Sequence, residues 1–124
     1  MESKLDFLPE ALSDAELATS FYEKKVEGLG SRFRREFEGV CAAIGQQPLL
    51  WRERKGGFRR VNFKGFPYYI AYILRGDGQI LVIAVGHGSR HPDYWKNRFF
   101  RRKPFDGPVD PSSSEDHDSE LYGP

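Results

Sequence analysis

The chain has 124 residues, 39% of them hydrophobic and 15% aromatic, with one cysteine and a formal net charge of +1. That length supports one folded domain with a core of its own rather than two, and a single cysteine excludes an internal disulfide framework and fits a reducing compartment. MESKLDFLPE is charged too early for a signal peptide, and no stretch approaches the roughly 18 apolar residues of a membrane span, so the expectation is a cytoplasmic protein with no membrane partner.

Residues 4–8 alternate, with Leu5 and Phe7 on one side, and read as a short strand ended by Pro9. Ser13-Asp14-Ala15-Glu16 is a capping-box pattern that predicts a helix from there to about residue 27, with Ala15, Ala18, Phe21, Tyr22 and Val26 on its buried face. Gly28 offers the left-handed conformation that closes a helix. A second helix follows over 31–44, its stripe formed by Phe33, Phe37, Val40, Cys41 and Ile44, and Gly45 and Pro48 stop it. Cys41 is therefore read as a small core residue. Two amphipathic helices with so short a link form a hairpin that buries its stripes against itself and a sheet.

In the next stretch Leu49, Leu50 and Trp51 either cover the edge of the core or begin a strand, and Gly56-Gly57 marks a turn. Arg52, Arg54, Lys55, Arg59, Arg60 and Lys64 stand here against a single acid, Glu53. Such a density suits a polyanion, nucleic acid first and an acidic protein segment second, or serves as a charged edge that resists aggregation. Three β-type runs follow, over 61–63, 68–74 and 80–85, broken by turn signals at 64–67 and 76–78, and they predict an antiparallel meander. The last run is apolar almost throughout, as expected of a central strand covered on both faces. His87, Ser89, Arg90 and His91 leave its end, and Pro92 opens a helical turn carrying Tyr94, Trp95 and Phe99.

The expected fold is α+β, in the order β-α-α-β-β-β, with an antiparallel sheet packed against a two-helix hairpin over residues 1–102. Those residues hold 18 of the 19 bases and 12 of the 18 acids, a balance of +6; the tail over 103–124, with one base, six acids and four prolines, is −5 and is expected to be disordered. Electrostatic competition between that tail and a polyanion for the basic body is one role open to it, a solubilising extension the other.

The three histidines have no metal-ligand spacing, and neither a P-loop nor a dinucleotide fingerprint is present, so no metal or cofactor is expected. What remains suits RNA cleavage without a metal. His87 can serve as acid or base, Arg59, Arg60 and Arg90 can clamp phosphate oxygens, and Tyr94 can stack on a base. Each also has a structural alternative: His87 bonding across a strand end, Arg90 paired with Asp93, Tyr94 and Trp95 packing the C-terminal turn.

Taken in order, the acidic helix ending FYE, the GLGSRF link, the Arg59-Arg60 pair before FPYYIAY, and AVGHGSRHPDYWKNR resemble the RelE/ParE superfamily of bacterial toxins from type II toxin-antitoxin systems, over residues 4–98. The resemblance implies a growth-arresting toxin silenced by a cognate antitoxin protein. It also implies two activities on one scaffold: RelE-like members cut mRNA on the ribosome, whereas ParE-like members poison DNA gyrase. On the first reading, favoured at this point, catalysis falls to His87, Arg60, Arg90 and Tyr94, with Arg59, Lys64, Arg54 and Lys55 holding the substrate; a branch that relies on a glutamate has only Glu53 here. On the second the same surface grips gyrase without chemistry, and a third reading is an inert, antitoxin-bound homologue.

Overall fold

The computed structural model describes residues 4–98, which form two units, one ending at Arg90 and one beginning at His91. The acidic tail expected over 103–124 and the Phe99 position lie outside the described residues. The first unit contains β1 (Leu5–Phe7), α1 (Pro9–Lys25), α2 (Leu29–Gln46), β2 (Arg59–Asn62), β3 (Tyr68–Leu74) and β4 (Ile80–His87). This is the expected α+β order.

Helix α1 begins earlier than the capping-box pattern indicates. Pro9 occupies the first helical position, where its missing N–H is not needed and its fixed φ suits the helix. The preceding Leu8 amide donates to the Val82 carbonyl at 3.0 Å, while the Leu8 carbonyl accepts from Ala11 and Leu12. Ser13 to Glu16 therefore lie inside the helix, and the Asp14 carboxylate accepts instead from the Val85 amide of β4 at 3.0 Å. The buried face is also narrower than expected. Ala11, Ala15 and Ala18 are buried, small residues that let the helix lie close to β4, whereas Phe21 is 51% and Val26 58% exposed. Val26 has already left the helix, with φ −149° and ψ 128°.

The link to α2 is fixed by one side chain. Gly28 adopts φ 89°, and the Glu23 carboxylate of α1 accepts from the amides of Gly28 at 3.0 Å and Gly30 at 2.9 Å. These are amides that a helix start leaves without intrahelical partners. Gly30 is buried, and a Cβ there would lie 2.8 Å from the Thr19 carbonyl oxygen, so the backbones of the two helices approach closely at this point. Helix α2 then runs through Gly45, which is buried inside it rather than ending it.

The sheet has the order β1-β4-β3-β2, with β4 central and buried from Ile80 to Gly86 as expected. The meander β2-β3-β4 is antiparallel, but β1 pairs with β4 in parallel, Leu5 opposite Ile80 and Phe7 opposite Val82, so the sheet is mixed. The cause is the path of the hairpin. α1 carries the chain toward Tyr68, whose ring lies 6.1 Å from that of Tyr22. α2 returns it to Tyr72, whose hydroxyl donates to the Pro48 carbonyl at 2.6 Å. β2 thus starts from the end of the sheet where β1 started, and β4, two strands after β2, runs with β1.

Phe33 of α2 centres the core between helices and sheet, its ring 5.1 Å from those of Phe63, Phe66 and Tyr68. Such pairs contribute about 0.5–1.5 kcal/mol each beyond the area they bury. The turn from β2 to β3 is held from α2, where the Glu36 carboxylate accepts from the Lys64 and Gly65 amides. The second unit contains α3 (Asp93–Lys96), capped by Pro92, with Trp95 buried. Among the described residues no helix is long and apolar enough to cross a membrane.

Candidate functional site

Register decides which of the expected site residues can meet. Residues paired across antiparallel strands share a face of the sheet, and successive residues alternate faces. Tyr68, Phe33 and Tyr22 pack together on the helix-covered face, and Tyr68 pairs with His87. Arg60 pairs with Ala71, and Ala71 with Ala84, on the opposite face. Tyr69 and its partner Gly86 share that second face. Accordingly the Arg60 guanidinium lies over the Tyr69 ring, 3.9 Å from its centroid, and Tyr69 is 1% exposed beneath it. Arg60 Nε also donates to the Asn62 side-chain oxygen at 3.2 Å.

The His87 turn sits at the other end of β4. The Arg90 amide donates to the His87 carbonyl at 3.1 Å, and the Gly88 amide to the Pro67 carbonyl at 2.8 Å. The Ser89 amide donates to His87 Nδ1 at 3.0 Å, and Ser89 Oγ lies 2.8 Å from the same nitrogen. An Nδ1 that accepts from an amide leaves the proton of the neutral ring on Nε2. The ring packs edge-on against Tyr68, centroids 5.0 Å apart. His87, Ser89 and Arg90 therefore form one tight, partly exposed turn, and Arg60 lies on the other side of the sheet.

Arg59 has a structural task. Its guanidinium donates to the Trp51 carbonyl at 2.6 Å and lies 3.6 Å from Glu53, whose carboxylate is largely exposed. With the Tyr72–Pro48 bond, this pins the segment between α2 and β2 to the sheet. Leu49 and Leu50 neither cover the core nor form a strand: they are 70% and 63% exposed in a turn. Beyond them the chain doubles back, the Arg54 amide donating to the Phe58 carbonyl at 2.7 Å and the Gly57 amide to the Arg54 carbonyl at 2.9 Å. Gly56 and Gly57 take φ 100° and 87°, as the turn signal in the sequence indicated. Lys55 is exposed at this tip, and Lys64 is exposed at the next turn.

In the second unit Tyr94 lies on α3, with the Arg98 guanidinium 5.5 Å from its ring centroid. His91 Nδ1 lies 3.4 Å from the Asp93 carboxylate. Burial pushes the Tyr72 hydroxyl up to about 12, and burial followed by the Glu38 charge pushes the Cys41 thiol up to about 12. A thiol raised in this way is a poor nucleophile near neutral pH. The Tyr68 hydroxyl is also raised, by burial first, then by Tyr22 and Asp14. Among the described residues no cluster of three His, Cys, Asp or Glu side chains could hold a metal ion. The sequence placed Asp14 in a capping box and assigned no role to Glu23 or Glu36, because the backbone amides these carboxylates hold are brought to them only by the fold. Sequence reasoning passed over Gly86, whose missing side chain makes room for Tyr69.

A two-helix hairpin on one face of a four-stranded mixed sheet, with β1 parallel to central β4, defines the class as a small α+β fold. It is similar to a solved structure of the chromosomal ParDE TA system from P. aeruginosa, with a TM-score of 0.59 and 13% identity, over 69% of this chain and 96% of that one. At that identity the likeness establishes the fold. The sequence from residue 5 to residue 92 matches the family of the ParE toxin of type II toxin-antitoxin system, parDE, and the chain belongs to that family. A search of curated proteins returns no match.

Proposed function

We propose that this toxin arrests growth by gripping DNA gyrase, without cleaving nucleic acid itself, and that a cognate antitoxin holds it in check. The observation that carries this reading is the separation of Arg60 from His87. Metal-independent RNA cleavage needs a base, an acid and a cation converging on one phosphate, within about 3 Å of the atoms they serve. The strand partners of Arg60 and His87, Ala71 and Tyr68, are three residues apart on β3, which is roughly 10 Å along the strand. β2 and β4 are themselves two strand spacings apart, again roughly 10 Å, and the two side chains leave the sheet on opposite faces. That arrangement disfavours the engagement of one phosphate by both. Arg59, bound to the Trp51 carbonyl, does not replace Arg60 in that role.

The nuclease reading survives in a narrower form, favoured by the His87-Ser89-Arg90 turn alone, in which an imidazole, a hydroxyl and a guanidinium lie within four residues. Expression without antitoxin separates the two. Primer extension on abundant mRNAs is run beside an assay for gyrase-linked DNA breaks, with the wild-type chain and with His87→Ala, Arg90→Ala. The gyrase reading expects DNA breaks, intact mRNA and retained toxicity in the double variant. Cuts within ribosome-bound codons that vanish in the double variant would overturn it in favour of the nuclease. Unrestrained growth with a folded, well-expressed chain would overturn both.

A further inference from the structure

We infer that the outer edge of the sheet, where Arg52, Arg54 and Arg60 gather, is a contact surface for the phosphate backbone of duplex DNA. The inference concerns that surface alone and does not require gyrase as the target. Three observations carry it. First, the antiparallel bridge of Arg54 to Phe58 puts these two residues on one face, and alternation along the strand puts Arg60 on the same face as Phe58. That is the face away from the helices, where Arg60 covers Tyr69. Second, Glu53, the single acid in the sequence from Arg52 to Lys64, is already engaged: it pairs with Arg59, which points to the other face with its partner Tyr72. Third, the guanidiniums are close enough to act on one another. Burial first, then the charges of Arg52 and Arg60, lower the Arg54 pKa.

Like charges held together on a solvent-facing edge repel, and an anion that bridges them relieves the repulsion. A duplex offers such anions at regular spacing, about one per 1.7 Å of helix axis. Single-stranded nucleic acid is a poorer fit, because it is held largely by stacking on exposed aromatic rings. Here Tyr69 is buried beneath Arg60, and Trp51 and Phe58 are half-buried. Arginine forks rather than stacking platforms dominate the surface, and forks suit phosphate oxygens. Lys55 at the adjacent hairpin tip extends the row.

The test is fluorescence anisotropy of the full chain with a labelled duplex of roughly 20 base pairs, between about 50 and 200 mM salt. Two variants of equal charge are compared, Arg52→Gln with Arg54→Gln, and Lys24→Gln with Lys25→Gln at the exposed end of α1. Both are checked for unchanged circular dichroism and melting. The inference expects salt-sensitive duplex binding, weakened roughly tenfold at low salt by the arginine pair, with the slope of log affinity against log salt reduced by about two. The lysine pair should leave both unchanged. Equal weakening by the two variants would overturn the inference, since net charge alone would then account for binding. Tighter binding of a single-stranded RNA of equal length would overturn it in favour of an RNA surface, and equal binding of poly-glutamate in favour of an acidic protein partner.

Discussion

Replacing Gly86 by alanine tests the packing of the helix-distal face at one atom. A Cβ added there would lie 2.5 Å from both Cζ and Oη of Tyr69 and 3.0 Å from Cε1. Ordinary carbon contacts are near 3.5–4.0 Å, so the ring must move by about 1 Å. It cannot move freely, because Tyr69 is 1% exposed and the Arg60 guanidinium lies over it at 3.9 Å. Overpacking of this kind costs about 1–3 kcal/mol, and the loosened cation–π contact adds about 0.5–1 kcal/mol. Alanine in a strand returns about 0.5–1 kcal/mol of backbone entropy, which leaves a net loss of about 1–3 kcal/mol. Urea unfolding followed by tryptophan fluorescence measures it, and a double-mutant cycle with Tyr69→Leu assigns it to the pair. In the Tyr69→Leu background, Gly86→Ala should cost close to nothing. If Gly86→Ala were neutral or stabilising in the wild-type background, Tyr69 would not be packed against β4 in this way.

Further predictions concern the helices and the titrating groups. Glu23→Ala removes the carboxylate that holds the Gly28 and Gly30 amides; it should cost about 0.5–2 kcal/mol and speed hydrogen exchange at those two amides first. Gly30→Ala should lower stability more than Gly39→Ala, because its Cβ meets the Thr19 carbonyl at 2.8 Å whereas a Cβ at Gly39 meets nothing within 4 Å. The Tyr72 hydroxyl, at about 12 in the fold against its ordinary value of 10.0, holds its proton more tightly folded than unfolded. Its contribution is complete below pH 10 and is lost as pH rises toward 12. Stability should fall over that window, less steeply in Tyr72→Phe after allowance for the lost bond to Pro48. Cys41, raised from 9.0 to about 12, adds a loss of the same sign and should stay unreactive toward thiol reagents at pH 8 until the chain unfolds.

What could be read from the sequence followed from patterns that physics makes local. Alternation and turn residues gave the meander, the uninterrupted apolar run from Ile80 gave the central strand, and Gly56-Gly57 gave the hairpin tip. What could not be read depended on contacts distant in sequence. Asp14 belongs to a capping-box pattern only until Val85 comes near enough to use its carboxylate. Phe21 and Val26 fit an amphipathic stripe, yet alanines let α1 sit close to β4 without them. The parallel pairing of β1 with β4 is set by where a helical hairpin returns the chain. For the expected site, the residue types were legible in the sequence, but the strand register was not. A pairing of His87 with Tyr68 and of Arg60 with Ala71 sends the two side chains to opposite faces, and composition carries no trace of that.

The measurement that bears most directly on the account is DNA cleavage by purified gyrase in the presence of the full chain, run beside translating ribosomes loaded with a defined mRNA. A gyrase poison produces loss of supercoiling and accumulation of gyrase-bound broken DNA, with the mRNA intact. Unimpaired gyrase together with cut mRNA would contradict the account, and would mean that the His87 turn cleaves RNA without Arg60.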